Sequence, residues 1–192
     1  GEDAVQAYYS YYPQLNSTRY DAATLDLDAA LQDADLVIVH EWNEHALVKG
    51  IGKKRRQHHF KLLFHDTHHR AITEKKCMQA YDLSNYDGIL AFGRVIKEIY
   101  EKEHWTKRAW TWHEAADTRI FKPLAGEKIE GDLVWIGNWG DDERTKELHE
   151  FLIEPVKELG LRAKIYGVRY PDNAKKALED AGMSTADAKA IS

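Results

Sequence analysis

The chain has 192 residues, 43% of them hydrophobic and 31% charged, with a formal net charge of −5. That length supports one large or two small domains with real cores, and the acidic balance argues against a nucleic-acid binder, which brings a basic surplus. The single cysteine, Cys77, excludes an internal disulfide framework and a thiolate metal cage, and no apolar run of about 18 residues offers a membrane span.

In chain order, VQAYYSYY (Val5–Tyr12) fits a strand or a helix equally. DAATLDLDAALQDA (Asp21–Ala34) is helical at its end. LVIVH (Leu36–His40) is a strand. NEHALVKGIGKKRRQ follows as a helix with glycine interruptions, and KLLFH (Lys61–His65) as a strand. TEKKCMQAYDLSNY (Thr73–Tyr86) is a helix and then a loop. GILAF (Gly88–Phe92) is a strand, and GRVIKEIYEKEH (Gly93–His104) a helix with Val95, Ile96 and Ile99 inward. RAWTWH (Arg108–His113) closes the series. Repeated βα order predicts a parallel sheet covered on both faces.

HEAADTRIFKPLAGEKIEG (His113–Gly131) has no period and contains Pro123, so it reads as a linker. The rhythm then resumes with DLVWIGNW, a helix over Arg144–Gly160, the strand RAKIYG and a helix near Asn173–Ala181. Pro155 predicts a kink or break in the first of these helices. STADAKAIS ends without a further strand, which leaves the second unit with only two. The expected architecture is α/β: an N-terminal Rossmann-like domain over 1–113, a hinge over 114–131, and the start of a second, incomplete parallel-sheet domain over 132–192.

Buried strands here end in polar clusters: LVIVH in EWNEH, KLLFH in DTHHR, and LVWI in GNWGDDER. In open parallel sheets, ligands bind outside the carboxyl ends of the strands, where helix N-termini also present N–H groups. His40-Glu41, His65-Asp66 and Gly137-Asn138 are therefore candidate ligand contacts. The competing reading is that such residues are turn or N-cap residues. The basic run KGIGKKRRQHH (Lys49–His59) reads as a solvated helix end or as a patch facing phosphate or a membrane surface.

These segments together resemble a family. ADLVIVHEWNEHAL, LLFHDTHHR, YDGILAFGRVIKEIYEKE, HEAADTRIFKPL and DLVWIGNWGDDERTKELHEFL are similar, in this order, to segments of GT-B glycosyltransferases. The likeness is to the large retaining group that includes glycogen synthases, and more closely to the spore-maturation CgeB-like branch, which also shows a GNW loop. It covers about residues 30–170 and rests on the colinear set rather than on any one motif. Ala115-Ala116 stand where the family commonly has Asn-Gly-Val. The family's first strand with its Gly-rich loop, and its later pair of spaced glutamates, have no counterpart here. The chain therefore looks like an excised middle portion, and on that reading it lacks transferase activity by itself.

The resemblance implies transfer of a sugar from a nucleotide-diphosphate donor to a hydroxyl acceptor, with no bound cofactor or metal. The donor is UDP- or GDP-linked. The leaving diphosphate needs preorganised positive charge and N–H donors, implied to be Gly137, Asn138 and Arg144. On the acceptor side the resemblance implies His65 and Asp66 in contact with the reacting groups, and Glu41 on acceptor hydroxyls. Read from sequence alone, Arg144 is equally a surface arginine paired with Asp141 or Glu147. Glu41 is equally a cap and His65 a packed histidine.

The implied partners are a nucleotide sugar and a glycan or other hydroxyl acceptor, with no nucleic acid. Peripheral membrane contact and self-association through the incomplete second unit are further expectations. The implied compartment is the cytoplasm or the inner face of its membrane. A noncatalytic sugar- or nucleotide-binding module is the first alternative; Trp42, Trp139 and Tyr170 are its candidate stacking residues. A metal-dependent hydrolase is the second, because ten histidines include the HDTHH and HEWNEH clusters.

Overall fold

Two parallel sheets, each built by βα repetition, organise the chain in a computed structural model. It describes residues 2–139, 142–167, 170, 174, 176, 178–179 and 184–185. The chain divides into two units, Ser17–Lys122 and Pro123–Ser192, with Gly1–Asn16 grouped with the second. The division falls at Pro123, inside the linker read from the sequence. Val5–Tyr12 falls mostly in a helix, α1 (Glu2–Tyr11).

The unit Ser17–Lys122 carries β1 (Leu36–His40), β2 (Lys61–Asp66), β3 (Gly88–Ala91) and β4 (Ala109–Thr111). All pair in parallel, in the sequential order β1-β2-β3-β4. The intervening helices are α3 (His45–His58), α4 (Arg70–Thr73), α5 (Lys75–Gln79) and α6 (Arg94–Lys102), with α2 (Leu27–Leu31) before β1. Asp26 caps α2 by accepting from the amides of Asp28 and Ala29.

Sequential order has a consequence. Parallel crossovers are right-handed, so strands taken in order place their helices on one face. Burial agrees: Val39, Leu62, Phe64, Ile89 and Ala91 form one core with Val48, Ile51, Met78, Ile96 and Tyr100 of the helices. Burying each large side chain of this set stabilises the unit by about 1.5–3 kcal/mol. The alternate residues Leu36, Ile38 and Trp110 are exposed. The expectation of cover on both faces is therefore corrected: the described residues cover one. The strand order has to reverse, as in a doubly wound sheet, before helices can lie on both sides.

Other expectations shift in detail. Gly50 and Gly52 do not interrupt α3; a Cβ on Gly52 would come 3.3 Å from the Tyr86 ring, so the missing side chain admits that tyrosine. The helix and loop read over Thr73–Tyr86 are α5 and the segment after it, and a further short helix, α4, precedes α5 with a break at Glu74. In α6 Ile96 is 3% exposed but Val95 is 60% exposed. Tyr100 takes the inward position four residues after Ile96, and Val95 lies off that stripe.

The second unit contains β5 (Leu133–Ile136), β6 (Ala163–Tyr166) and β7 (Ser184–Thr185), parallel and in that order. The two-strand expectation is corrected by β7, whose two residues are too few for a hydrophobic pattern to reveal. The long helix is interrupted: α7 (Asp142–Leu148), a π-helical turn (His149–Ile153) and α8 (Glu154–Leu159). Pro155 explains this. It has no N–H and its ring clashes with the carbonyl four residues back, and widening the preceding turn separates the two. The Glu154 amide then donates to the His149 carbonyl, five residues back. Trp139, Leu148, Leu152, Ile153, Val156, Ala163 and Ile165 form a separate core. The helix expected near Asn173–Ala181 lies largely outside the described residues. Among the described residues, no helix is long and apolar enough to cross a membrane.

Candidate functional site

The carboxyl edge of the four-stranded sheet has an open side and a buried side, because side chains alternate along each strand. His40 and His65 are paired in register and continue the open-face rows of Ile38 and Leu63. Their rings meet edge to face, with centroids 5.6 Å apart. Trp112, in line with Trp110, lies 5.1 Å from the His65 ring, and its amide donates to the Ala91 carbonyl at 2.8 Å. His113 Nδ1 donates to the Phe92 carbonyl at 2.7 Å. The open side is thus two imidazoles and an exposed indole.

Glu41 and Asp66 point to the buried side, and both are 0% exposed. The Glu41 carboxylate pairs with Arg70, whose guanidinium also donates to the Glu41 carbonyl. Tyr81 Oη donates to that carbonyl at 2.5 Å. Trp42 covers Arg70, with the guanidinium carbon 4.5 Å from the ring centroid. Asp66 accepts from the His68 amide at 3.0 Å and from Tyr100 Oη at 2.8 Å. Burial pushes the Asp66 carboxyl up from its ordinary range, against the opposing pull of those two hydrogen bonds.

One chain of bonds links the two sides. The Trp42 amide donates to His40 Nδ1 at 3.2 Å. In the neutral ring Nε2 then carries the hydrogen and donates to Thr67 Oγ1 at 3.2 Å, and Thr67 Oγ1 donates to Glu41 at 3.3 Å. Burial first, and the neighbouring His65 second, hold the His40 pKa below its ordinary value, which favours this neutral form.

In the second unit, Gly137, Asn138 and Arg144 follow β5. The Gly137 amide donates to the Tyr166 carbonyl at 2.9 Å, and its carbonyl accepts from Tyr170 Oη at 2.6 Å. A Cβ at Gly137 would sit 2.9 Å from the Trp135 ring, so glycine is required by close packing. Asn138 is exposed. Arg144 Nε lies 3.5 Å from the Glu147 carboxylate, one of its sequence-stated alternatives; Asp141, the other, lies outside the described residues. Trp139 is 4% exposed and donates to Thr145 Oγ1 at 2.7 Å, so it is a core residue and not a stacking surface. Trp42 is 65% exposed.

Of the candidate residues in the first unit, the structure brings His65 to the open side and places Asp66 and Glu41 beneath it. His40, also a candidate contact at its strand mouth, shares that open side; Trp112, Arg70 and Tyr100 were missed as site residues. For Trp112 the two-residue spacing from Trp110 places both on one face once the exposed row is known. Arg70 and Tyr100 had no such signal, because they reach the site from α4 and α6. Among the described residues, no group of three or more His, Cys, Asp or Glu side chains is placed to hold a metal ion. No family model matches the chain, and no curated protein matches it.

Proposed function

We propose that the chain belongs to a GT-B type glycosyltransferase that moves a sugar from a nucleotide diphosphate to a hydroxyl acceptor. The observation that carries this reading is the open side of the carboxyl edge, where His40, His65 and Trp112 form an aromatic platform with hydrogen-bonding edges. An indole supplies an apolar face for a sugar ring, and the His65 imidazole offers hydrogen-bonding nitrogens to its hydroxyls, while both ring nitrogens of His40 are held within the protein. In the reaction the bond from the anomeric carbon to the diphosphate oxygen breaks. The acceptor oxygen bonds that carbon, and its proton leaves to His65 or to the departing diphosphate. Glu41 and Asp66 act as positioning residues, since both carboxylates are buried against Arg70 and Tyr100. In the second unit, Arg144 is the group for the diphosphate, exchanging its contact with Glu147 for a phosphate oxygen.

The test is a titration of the chain with UDP- and GDP-sugars, alongside a nucleotide-release assay on the gene product that carries it. Arg144→Ala is expected to weaken nucleotide-diphosphate binding by roughly 1.5–3 kcal/mol. His65→Ala is expected to lower turnover about 100-fold or more. A gene product that releases no nucleotide from any sugar nucleotide overturns the enzymatic reading. The burial of both carboxylates favours a second reading, a noncatalytic sugar-binding module. Saturable sugar binding without turnover, lost in Trp112→Ala, would select it.

A further inference from the structure

The basic run in α3 is not used at the carboxyl edge. It borders the opposite edge of the same sheet, where a cleft of about 610 Å³ lies across the amino ends of the strands. Arg55, Arg56, Lys61, Lys107 and Arg108 line it, and Asp87 is the single carboxylate in its wall. Arg55 grips Asp87 through two bonds of 3.2 and 2.5 Å, and the Leu62 amide donates to the same carboxylate at 2.8 Å. That pairing cancels one cation and leaves Arg56, Lys61, Lys107 and Arg108. Among the described residues none of these makes a salt bridge; Arg56 Nε donates to the neutral Asn85 Oδ1 at 3.2 Å. In a chain of net charge −5, this is a local concentration of uncompensated positive charge in a concave site, where field lines are focused.

The floor of the cleft is different. It is formed by Leu36, Leu63 and Trp110. The Trp110 indole rests against Gly88, where a Cβ would come within 2.4 Å of the ring, and the side chain is 43% exposed. A cationic rim over an apolar, aromatic floor suits a ligand with an anionic head and an apolar body.

We propose that this cleft binds an organic phosphate, with its apolar or ring portion on Trp110 and Leu63 and its phosphate among Arg56, Lys61, Lys107 and Arg108. A phosphate answers four cations better than a carboxylate does. It carries up to two charges, and its several oxygens can take an arginine fork and ammonium groups together. A nucleic acid fits less well, because the rest of the acidic chain would repel a long polyanion. The cations lie at the amino ends of the strands, with Lys61 about 13 Å of strand from His65, while the floor residues Leu63 and Trp110 lie two residues before His65 and Trp112 on the same open face. The inference rests on residues to which the transferase reading gives no role.

The phosphate can come from a soluble ester or from a lipid headgroup, and the experiment separates them. Calorimetry of the chain with phenyl phosphate, phenol and inorganic phosphate forms one arm. Phenyl phosphate is expected to bind more tightly than either fragment, and less tightly as salt is raised. Lys107→Glu with Arg108→Glu is expected to weaken it about 10-fold or more. Trp110→Ala is expected to weaken phenyl phosphate but not inorganic phosphate. Co-sedimentation with phosphatidylcholine vesicles, with and without phosphatidic acid, forms the other arm. Binding to phosphatidic acid vesicles that the double variant loses assigns a lipid source; binding of phenyl phosphate alone assigns a soluble one. Circular dichroism checks the variant's fold, and Lys107→Gln with Arg108→Gln replaces it if the charge reversal unfolds the chain. The proposal is overturned if a folded variant binds phenyl phosphate unchanged, or if neither phenyl phosphate nor phosphatidic acid vesicles bind the unaltered chain.

Discussion

The imidazole of His40 sits where the open and buried sides of the carboxyl edge meet, bonded to the Trp42 amide and, through Thr67, to Glu41. Its pKa in the fold is held below the ordinary value of 6.5. Stability from this group is then fully present above 6.5 and is lost as pH falls through the lowered value. Protonation also places a hydrogen on Nδ1, facing the Trp42 amide that now donates to it. An NMR titration is expected to give a His40 midpoint below 6.5, with loss of exchange protection at the Trp42 amide over the same range. Asp66 behaves with the opposite sign. Its folded pKa lies above the ordinary 3.8, so its contribution to stability falls as pH rises from the unfolded value through the folded one. Asp66→Asn removes that dependence, and urea unfolding of the two proteins should therefore show wild type losing ground to the variant as pH rises through this window. Tyr100→Phe deletes one of the hydrogen bonds to the carboxylate and is expected to cost about 1–3 kcal/mol in the same assay.

Within the elements, what a pattern can reveal depends on how many residues express it. The strands β1, β2 and β3 were legible because Leu36–His40, Lys61–Asp66 and Gly88–Ala91 are short apolar runs with clear ends. Their open face was not legible: Leu36 and Ile38 are as apolar as Val37 and Val39, and only the spatial order of the strands distinguishes the rows. The π-helical turn was legible only as a disturbance at Pro155, since its form depends on how the Phe151 carbonyl escapes the ring. In α6 Val95 reads as inward together with Ile96 because the two are adjacent and both apolar. Substitution separates them: Ile96→Ala is expected to cost about 2–5 kcal/mol, and Val95→Ala about 0.5 or less, by chemical denaturation. Gly88→Ala is expected to cost about 1–3 kcal/mol by overpacking. Adding Trp110→Ala should restore only part of this, because the new Cβ also meets the Arg108 carbonyl at 2.7 Å.

At the scale of the whole molecule, two separate cores exist, one in Ser17–Lys122 and one built from Trp139 to Leu178. Each core needs its own set of contacts to hold, so unfolding is expected in two steps. A chain limited to residues 17–122 should retain a cooperative thermal transition of its own. A single transition in the whole chain, together with an unfolded 17–122 product, would refute the independence of the cores.

The sequential strand order has a further consequence, in time rather than in space. Each strand of the first sheet pairs with the strand made just before it, and the crossover from β1 to β2 spans only α3. No strand has to wait for a partner made much later, so loop closure stays short throughout. As the chain emerges during synthesis, β2 can dock on β1 and β3 on β2 while the remainder is still being made. Each addition covers the helical side of the growing sheet and leaves a fresh edge for the next strand. Sequential order thus permits assembly strand by strand along the chain, and a pause during synthesis is expected to leave the earlier strands able to pair.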